Sequence, residues 1–407
     1  MVKPIKLSNF NGMNNVKDAE GLFIMQDDRA TGTEPRIVLN ADILKGRITK
    51  REGYELYASL TSPHSLGSHF GLMFCVSQGK LKKVENGTAT DICDVSVPDS
   101  PVAHVAADEK VYLSNSYWNG VLDTEAGAVS SWGITVPAQP VLLPSTGHLP
   151  AGKYDVCFTA VVDGEVSGSG PIATIEFDDD DSGITILNRP ADCIVWMTDP
   201  NGGTFYLCGE VDTIDTPPQR LEPLLSLFCF PPPYMDVLCL AFGRIWGARG
   251  NTVYYSESGH YGWWKVYTAK FHHDHPVTMI AATATGLYVG TEAETIFYSG
   301  TEPTEMQPRK RGPGVVKGSL TYCNRMGEFG NNAPCWLSPT GIFVGTQDGQ
   351  PTNLTGRRIK FAPGPEAATH YRVKDGHPQI MTAFRGDSNA GASDDATCEV
   401  VRNGKVI

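Results

Sequence analysis

Apolar and polar residues alternate along most of this chain in short runs closed by turn-forming residues, which is the period of β-strands with one buried face. Pro35 to Asp42 sets Ile37, Leu39 and Ala41 against Arg36, Asn40 and Asp42, with Val38 as the exception, and a hairpin through Lys45-Gly46 follows. Gly71 to Val76 with its return Lys80 to Val84, and the run around Val111-Tyr112-Leu113, read as two strand-turn-strand units between about 64 and 136. Gly152 to Val162 predicts a long strand closed by Asp163-Gly164-Glu165. Ala173 to Phe177, Ile184 to Leu187, Cys193 to Thr198 and Thr204 to Cys208 complete five alternating strands. From Tyr234 the shorter units resume near 235 to 275, 276 to 318 and 319 to 362.

One pattern recurs within them. Gly286-Leu287-Tyr288-Val289-Gly290-Thr291 is repeated as Gly341-Ile342-Phe343-Val344-Gly345-Thr346, with looser relatives at Lys110 to Ser114 and Arg244 to Ala248. A unit of short strands and tight turns recurring every ~40 to 55 residues is the signature of a propeller blade. The prediction is an all-β chain: a β-propeller of five or six blades with an inserted immunoglobulin or fibronectin type III-like sandwich. Its parts are an N-terminal arm and hairpin (1–60), a first set of blades (61–136), the sandwich (137–220) and a second set (221–407). The arm reads as irregular, and the weak strands Gln379 to Phe384 and Cys398 to Val401 are placed to complete a sheet with it, which would close an open edge.

Composition agrees. A chain of 407 residues with 41% hydrophobic content buries a sizeable core, and 43 glycines with 28 prolines suit many turns. The net charge of −12 leaves no global basic field for holding nucleic acid. No apolar run long enough to span a bilayer occurs, and the opening lacks a signal-peptide core, so no membrane insertion and a cytosol-like compartment are expected. Cysteines 75, 93, 157, 193, 208, 229, 239, 323, 335 and 398 show no paired spacing and read as packing thiols.

Catalytic chemistry is hard to assemble from these residues, and no catalytic, cofactor or metal site is expected. Tyr255-Ser256-Glu257-Ser258-Gly259-His260-Tyr261-Gly262-Trp263-Trp264 resembles the turn of sialidase propellers, but Ser258 stands where aspartate belongs and His260 where glycine belongs, which leaves an aromatic-capped hairpin. In His272-His273-Asp274-His275 only His273 and His275 share a strand face, and a solvated loop end is the expectation. The run Asp178 to Asp181 lacks the spaced order of a calcium loop and reads as a solvent-facing turn. Basic charge concentrates in a loop at Arg309-Lys310-Arg311 and again at Arg357, Arg358 and Lys360. On an acidic chain these read either as solvated loops or as contacts for a neighbouring acidic surface, another copy included, or for DNA phosphates.

The opening Asn9-Phe10-Asn11-Gly12-Met13, followed by Val38-Leu39-Asn40-Ala41-Asp42 and Gly46 through Arg51-Glu52-Gly53-Tyr54, resembles the N-terminal pattern of tailed-phage virion propellers, with Met13 where a second glycine is common. That family includes tail nozzle and packaged-DNA stabilisation proteins. The segment Gly152 to Leu207, with Gly164-Glu165 and Gly202-Gly203-Thr204-Phe205, is similar to the fibronectin-like insertion of such proteins, and Asn251 to Ser256 to one of their blade strands. The resemblance implies a structural, non-enzymatic virion protein. Copies of it, usually six, form a ring or tube below the portal and adaptor that retains packaged DNA and conducts it during ejection. An arm carrying Phe10, Asn40, Arg51 and Tyr54 would dock on a neighbour or the adaptor, and contact with double-stranded DNA would be transient and non-specific. Two other classes stand beside this one. One is a tail-tip receptor module stacking glycans on Trp118, Trp132, Trp263 or Trp264, and the other is a propeller glycoside hydrolase with convergent carboxylates.

Overall fold

A computed structural model describes residues 12–14, 23–26, 29–35, 37–39, 41–44, 46–50, 55–95, 97, 100–324, 329–356, 358–359, 364–374, 376–384, 397–399, 401–402 and 405–406. The chain is all-β, with no α-helix among the described residues, and its recurring element is the antiparallel up-and-down sheet of a propeller blade. It divides into two compact units, Ala58–Asp274 and Met1–Tyr57 with His275–Ile407.

The first unit holds three blades and a sandwich. One blade runs His64–His69, Leu72–Ser77, Lys80–Glu85 and Thr88–Asp94. The next runs Ala103–Ala107, Lys110–Ser114, Asn119–Asp123 and Val129–Ser130. The third is built from Val237–Ala241, Arg244–Arg249, Thr252–Glu257 and His260–Trp264, with Lys270–His272 also on Thr252–Glu257. Apolar residues on alternate positions fill the seam between the first two blades, among them Phe74, Val76, Leu81, Val111, Leu113 and Leu122.

Between the second and third blades the chain leaves to make two further sheets. Leu142–Leu149, Ser182–Ile186 and Thr213–Ile214 form one. Glu165–Val166, Gly152–Val162, Cys193–Thr198 and Phe205–Gly209 form the other, with Ala173–Phe177 pairing the long strand. Both sheets turn apolar faces to one core that includes Leu149, Tyr154, Val156, Phe158, Ile184, Val195 and Met197. Five of these strands are those the alternation predicts; Leu142–Leu149, Glu165–Val166 and Thr213–Ile214 are additional.

The blades on either side of this excursion pack directly on one another. Met235 N–H donates to Ser114 Oγ at 2.8 Å, Trp132 Nε1–H donates to the Tyr261 carbonyl at 2.9 Å, and Ala107, Tyr112, Trp132, Met235, Ile245 and Trp264 share one cluster. The sandwich is therefore an insertion between neighbouring blades.

The second unit holds the blade Val277–Thr283, Gly286–Thr291, Glu294–Ser299, Gln307–Pro313 and the blade Thr321–Cys323, Ala333–Ser338, Gly341–Val344, Thr352–Asn353. The repeated hexapeptide supplies the second strand of one and the third of the other, and its residues have identifiable work. A Cβ on Gly290 would lie 2.5 Å from Val315, and one on Gly345 2.6 Å from the Tyr288 ring, so both positions must lack a side chain. The threonine after each glycine builds the following turn: Thr291 Oγ1 accepts from Glu294 N–H at 3.0 Å, and Thr346 Oγ1 accepts from Gln350 N–H at 3.1 Å.

Two expectations change here. Ahead of the hairpin, the described residues of the arm, read as irregular, include Phe23–Gln26 paired with Arg29–Thr33; the expected hairpin is present as Ala41–Leu44 paired with Arg47–Lys50. The predicted strand at Gln379 is half of a longer hairpin, Ala367–Lys374 with His377–Phe384, which lies on the last blade through Tyr371 and Ile380. Ile37–Leu39 pairs with Thr397–Glu399, the meeting of the two terminal regions that edge closure calls for.

Candidate functional site

The predicted basic loop is a strand. Gln307–Pro313 is the outer member of its blade, and its first four residues are exposed. The Gly after Arg311 and the Pro at 313 suggest a break in the sequence, but pairing with Glu294–Ser299 carries the backbone through as extended structure. Arg309 lies opposite Phe297 and Lys310 opposite Ile296, while Gly312 pairs Thr295, so Arg311 is the extra residue of a bulge. A bulge redirects the side chain it carries.

That redirection separates the three cations. Arg309 and Lys310 face solvent, and Lys310 pairs with the Glu294 carboxylate on the adjacent strand. Arg311 is half-buried, with its Nε enclosed and without a hydrogen bond, near enough to Tyr288 and Asp348 to favour the ionised form of each. Burial outweighs it at Tyr288, whose phenol is pushed up to about 12. A hydrogen bond from Thr346 holds the Asp348 carboxyl below its usual value. Thus Arg311 belongs to the seam between two blades, and Arg309 and Lys310 form the outward basic edge.

Of the second predicted patch, Arg358 is exposed in a turn where its N–H donates to the Thr355 carbonyl at 2.9 Å. Its Nη1 lies 3.6 Å from the position a Cβ would take on Gly12, which brings it beside the opening segment. Arg357 and Lys360 lie outside the described residues, as do Phe10, Asn40, Arg51 and Tyr54. Within the arm, Asn14 Nδ2 donates to a buried Glu34 carboxylate oxygen at 2.9 Å, and Asn14 N–H donates to the Pro35 carbonyl at 2.9 Å.

The tryptophans proposed as glycan platforms are mostly structural. Trp132 and Trp264 are 3% and 0% exposed, and both indole N–H groups converge on the Tyr261 carbonyl. Trp263 is half-buried, donates to the Val166 carbonyl at 2.7 Å and stacks on His260 at 4.0 Å between centroids; Trp118 is half-buried against the first seam. Indoles are large enough to fill inter-blade space, and alternation alone does not say which face they take. His273, expected in a solvated loop end, is buried, its N–H donating to the Asn251 carbonyl at 2.9 Å. Asp178 to Asp181 are exposed as expected. Among the described residues no three His, Cys, Asp or Glu side chains group as metal ligands.

Three features escape sequence reasoning. His69 Nε2 and His104 Nδ1 meet at 2.8 Å across the first blade seam, with Phe74 edge-on to His104 at 5.3 Å. Burial, then the neighbouring imidazole, lowers His104 to about 4, opposed by a hydrogen bond with the Leu66 backbone. A pocket of about 400 Å³ opens at the edge of the sandwich between Leu207, Val211, Ile214, Pro217 and Leu221. The third is charge distribution. Residues 142–214 carry twelve carboxylates against two Lys or Arg, a net −10 of the chain's −12. That asymmetry is countable in the sequence once the sandwich boundaries are known.

No protein family model matches the chain, and no curated protein sequence matches it. Among solved structures it is similar to a streptogramin B lyase (12% identity, covering 79% of this chain and 90% of that one, TM-score 0.35). It is also similar to BBS1N in complex with ARL6DN (9%, 81% and 95%, TM-score 0.33) and to the Neurospora crassa Pan2 WD40 domain (10%, 80% and 90%, TM-score 0.32). At these identities and scores the likenesses carry nothing about activity or partners; the blade assignment rests on the sheets themselves.

Proposed function

We propose that this chain is a structural, non-enzymatic protein of a tailed-phage virion, one subunit of a ring or tube at the head-to-tail joint or tail nozzle. It retains packaged DNA and conducts it during ejection. The observation that carries this reading is the architecture: blades interrupted between two packed neighbours by a two-sheet sandwich, preceded by an arm whose motifs resemble those of virion propellers. In it, six copies close into a ring that meets the adaptor or portal and other tail proteins. The N-terminal arm contacts a neighbouring subunit, and Arg309, Lys310 and Arg358 contact subunits or passing DNA.

Electrostatics supports a conduit. A subunit of net charge −12 repels a duplex at short range, which suits a lumen through which DNA must slide without being held. A receptor-binding role at the tail tip is weakened by the burial of Trp132 and Trp264. The test is electron microscopy of the purified chain together with antibody labelling of intact virions. Rings with an axial lumen and label at the neck or nozzle support the reading, whereas label confined to the tail tip, or absent from virions, removes it.

A further inference from the structure

Charge is divided unequally between the two units. Ala58–Asp274 carries 25 acidic and 11 basic residues, a net −14, while Met1–Tyr57 with His275–Ile407 carries 20 and 22, a net +2. Most of the excess negative charge lies on the sandwich, whose Asp163, Glu165, Asp178, Asp179, Glu210 and Asp212 are all exposed. The second unit presents a different kind of surface: Gln307–Pro313 pairs only with Glu294–Ser299 among the described residues, so one side of this seven-residue strand is an open edge. That edge carries Arg309 and Lys310 in solvent.

Open edges are liabilities unless charged or covered. Here the charge on the edge is opposite in sign to the largest charged surface of the same molecule. We infer that copies of this chain associate head to tail, with the acidic sandwich of one copy covering the basic edge strand Gln307–Pro313 of the next. This inference rests on the ring reading above and names its interface. A contact between two different surfaces is heterologous, and heterologous contacts are what generate rings. Complementary potentials steer such encounters and set their register. A second copy is an occupant that brings a surface of opposite sign, because its sandwich exposes Asp163, Glu165, Asp178, Asp179, Glu210 and Asp212.

The test uses the full chain in sedimentation velocity at low and high salt, with duplex binding followed in parallel by fluorescence anisotropy. The wild type should associate at low salt and dissociate as salt rises. R309E with K310E should weaken association by about tenfold or more, and D178K with D179K should do the same from the other side. Mixing the two variants should restore it, since each then meets a complementary surface, a rescue that loss of folding cannot imitate. Equal association of wild type and R309E/K310E would overturn the inference and leave the ring reading standing. Loss of duplex binding in that variant with association unchanged would also overturn it and assign the edge to DNA. A wild type that stays monomeric at low salt would remove both.

Discussion

The Tyr288 hydroxyl donates to the Thr346 carbonyl at 2.9 Å and accepts from the Thr346 N–H at 3.1 Å, so the two copies of the repeated hexapeptide are hydrogen-bonded to each other. Tyr288 is fully buried, and Gly345, one residue before Thr346, leaves the space its ring occupies. The repeat is thus a seam between blades as well as a strand within each.

Tyr288→Phe removes both bonds and leaves a backbone N–H and C=O without their partner, so stability should fall by about 1–3 kcal/mol. Gly345→Ala pushes a methyl into the same ring and should cost about 1–3 kcal/mol. Because both changes act on one contact, the double variant should depart from the sum of the singles, as read from denaturant midpoints.

The second prediction concerns acid. His104 titrates near 4 in the folded chain against 6.5 when unfolded, and His69 is lowered in the same direction by burial. The folded state therefore favours neutral imidazoles. Their contribution is fully present above pH 6.5 and is lost as pH falls from 6.5 through 4, by about 3 kcal/mol for His104. Two protonated rings would also set N–H against N–H across the 2.8 Å contact. His104→Asn should be less stable at neutral pH and lose less on acidification than the wild type; parallel pH profiles of the two would refute this.

Trp132 and Trp264 meet edge to face at 5.9 Å and share the Tyr261 carbonyl. Trp132→Ala should destabilise by about 3–5 kcal/mol. Trp132→Phe, which keeps most of the volume but loses the donor, should cost less. Unfolding followed by tryptophan fluorescence gives both values.

Thiol reactivity is the fourth. Burial pushes Cys157 and Cys208 up to about 12, and Cys193 and Cys229 to about 11. At pH 8 each is a thiolate in roughly one molecule per thousand or fewer. Native protein should label slowly with an aromatic disulfide reagent at these four positions and rapidly once unfolded. Fast native labelling of any of them, mapped by peptide mass, would contradict the burial described.

Much of the architecture follows from local pattern. Alternation of apolar residues places strands such as Gly152–Val162 and Ala173–Phe177, glycine and threonine mark the turns after Gly290 and Gly345, and the change from short units to longer strands marks the sandwich. These are readable because a strand's two faces and its closing turn are decided within a few residues. Which face meets which neighbour is a different matter. His69 and His104 are 35 positions apart, Trp132 and Tyr261 are 129 apart, and Arg311 leaves its basic companions only because a bulge forms in the pairing with Glu294–Ser299. Such relationships depend on how separate sheets stack, and residues adjacent in sequence can be sent to opposite environments by one extra residue in a ladder. Sequence by itself therefore decided the elements and their repeat, whereas burial of the tryptophans, the histidine contact and exposure of the Arg309–Lys310 edge were decided by tertiary packing.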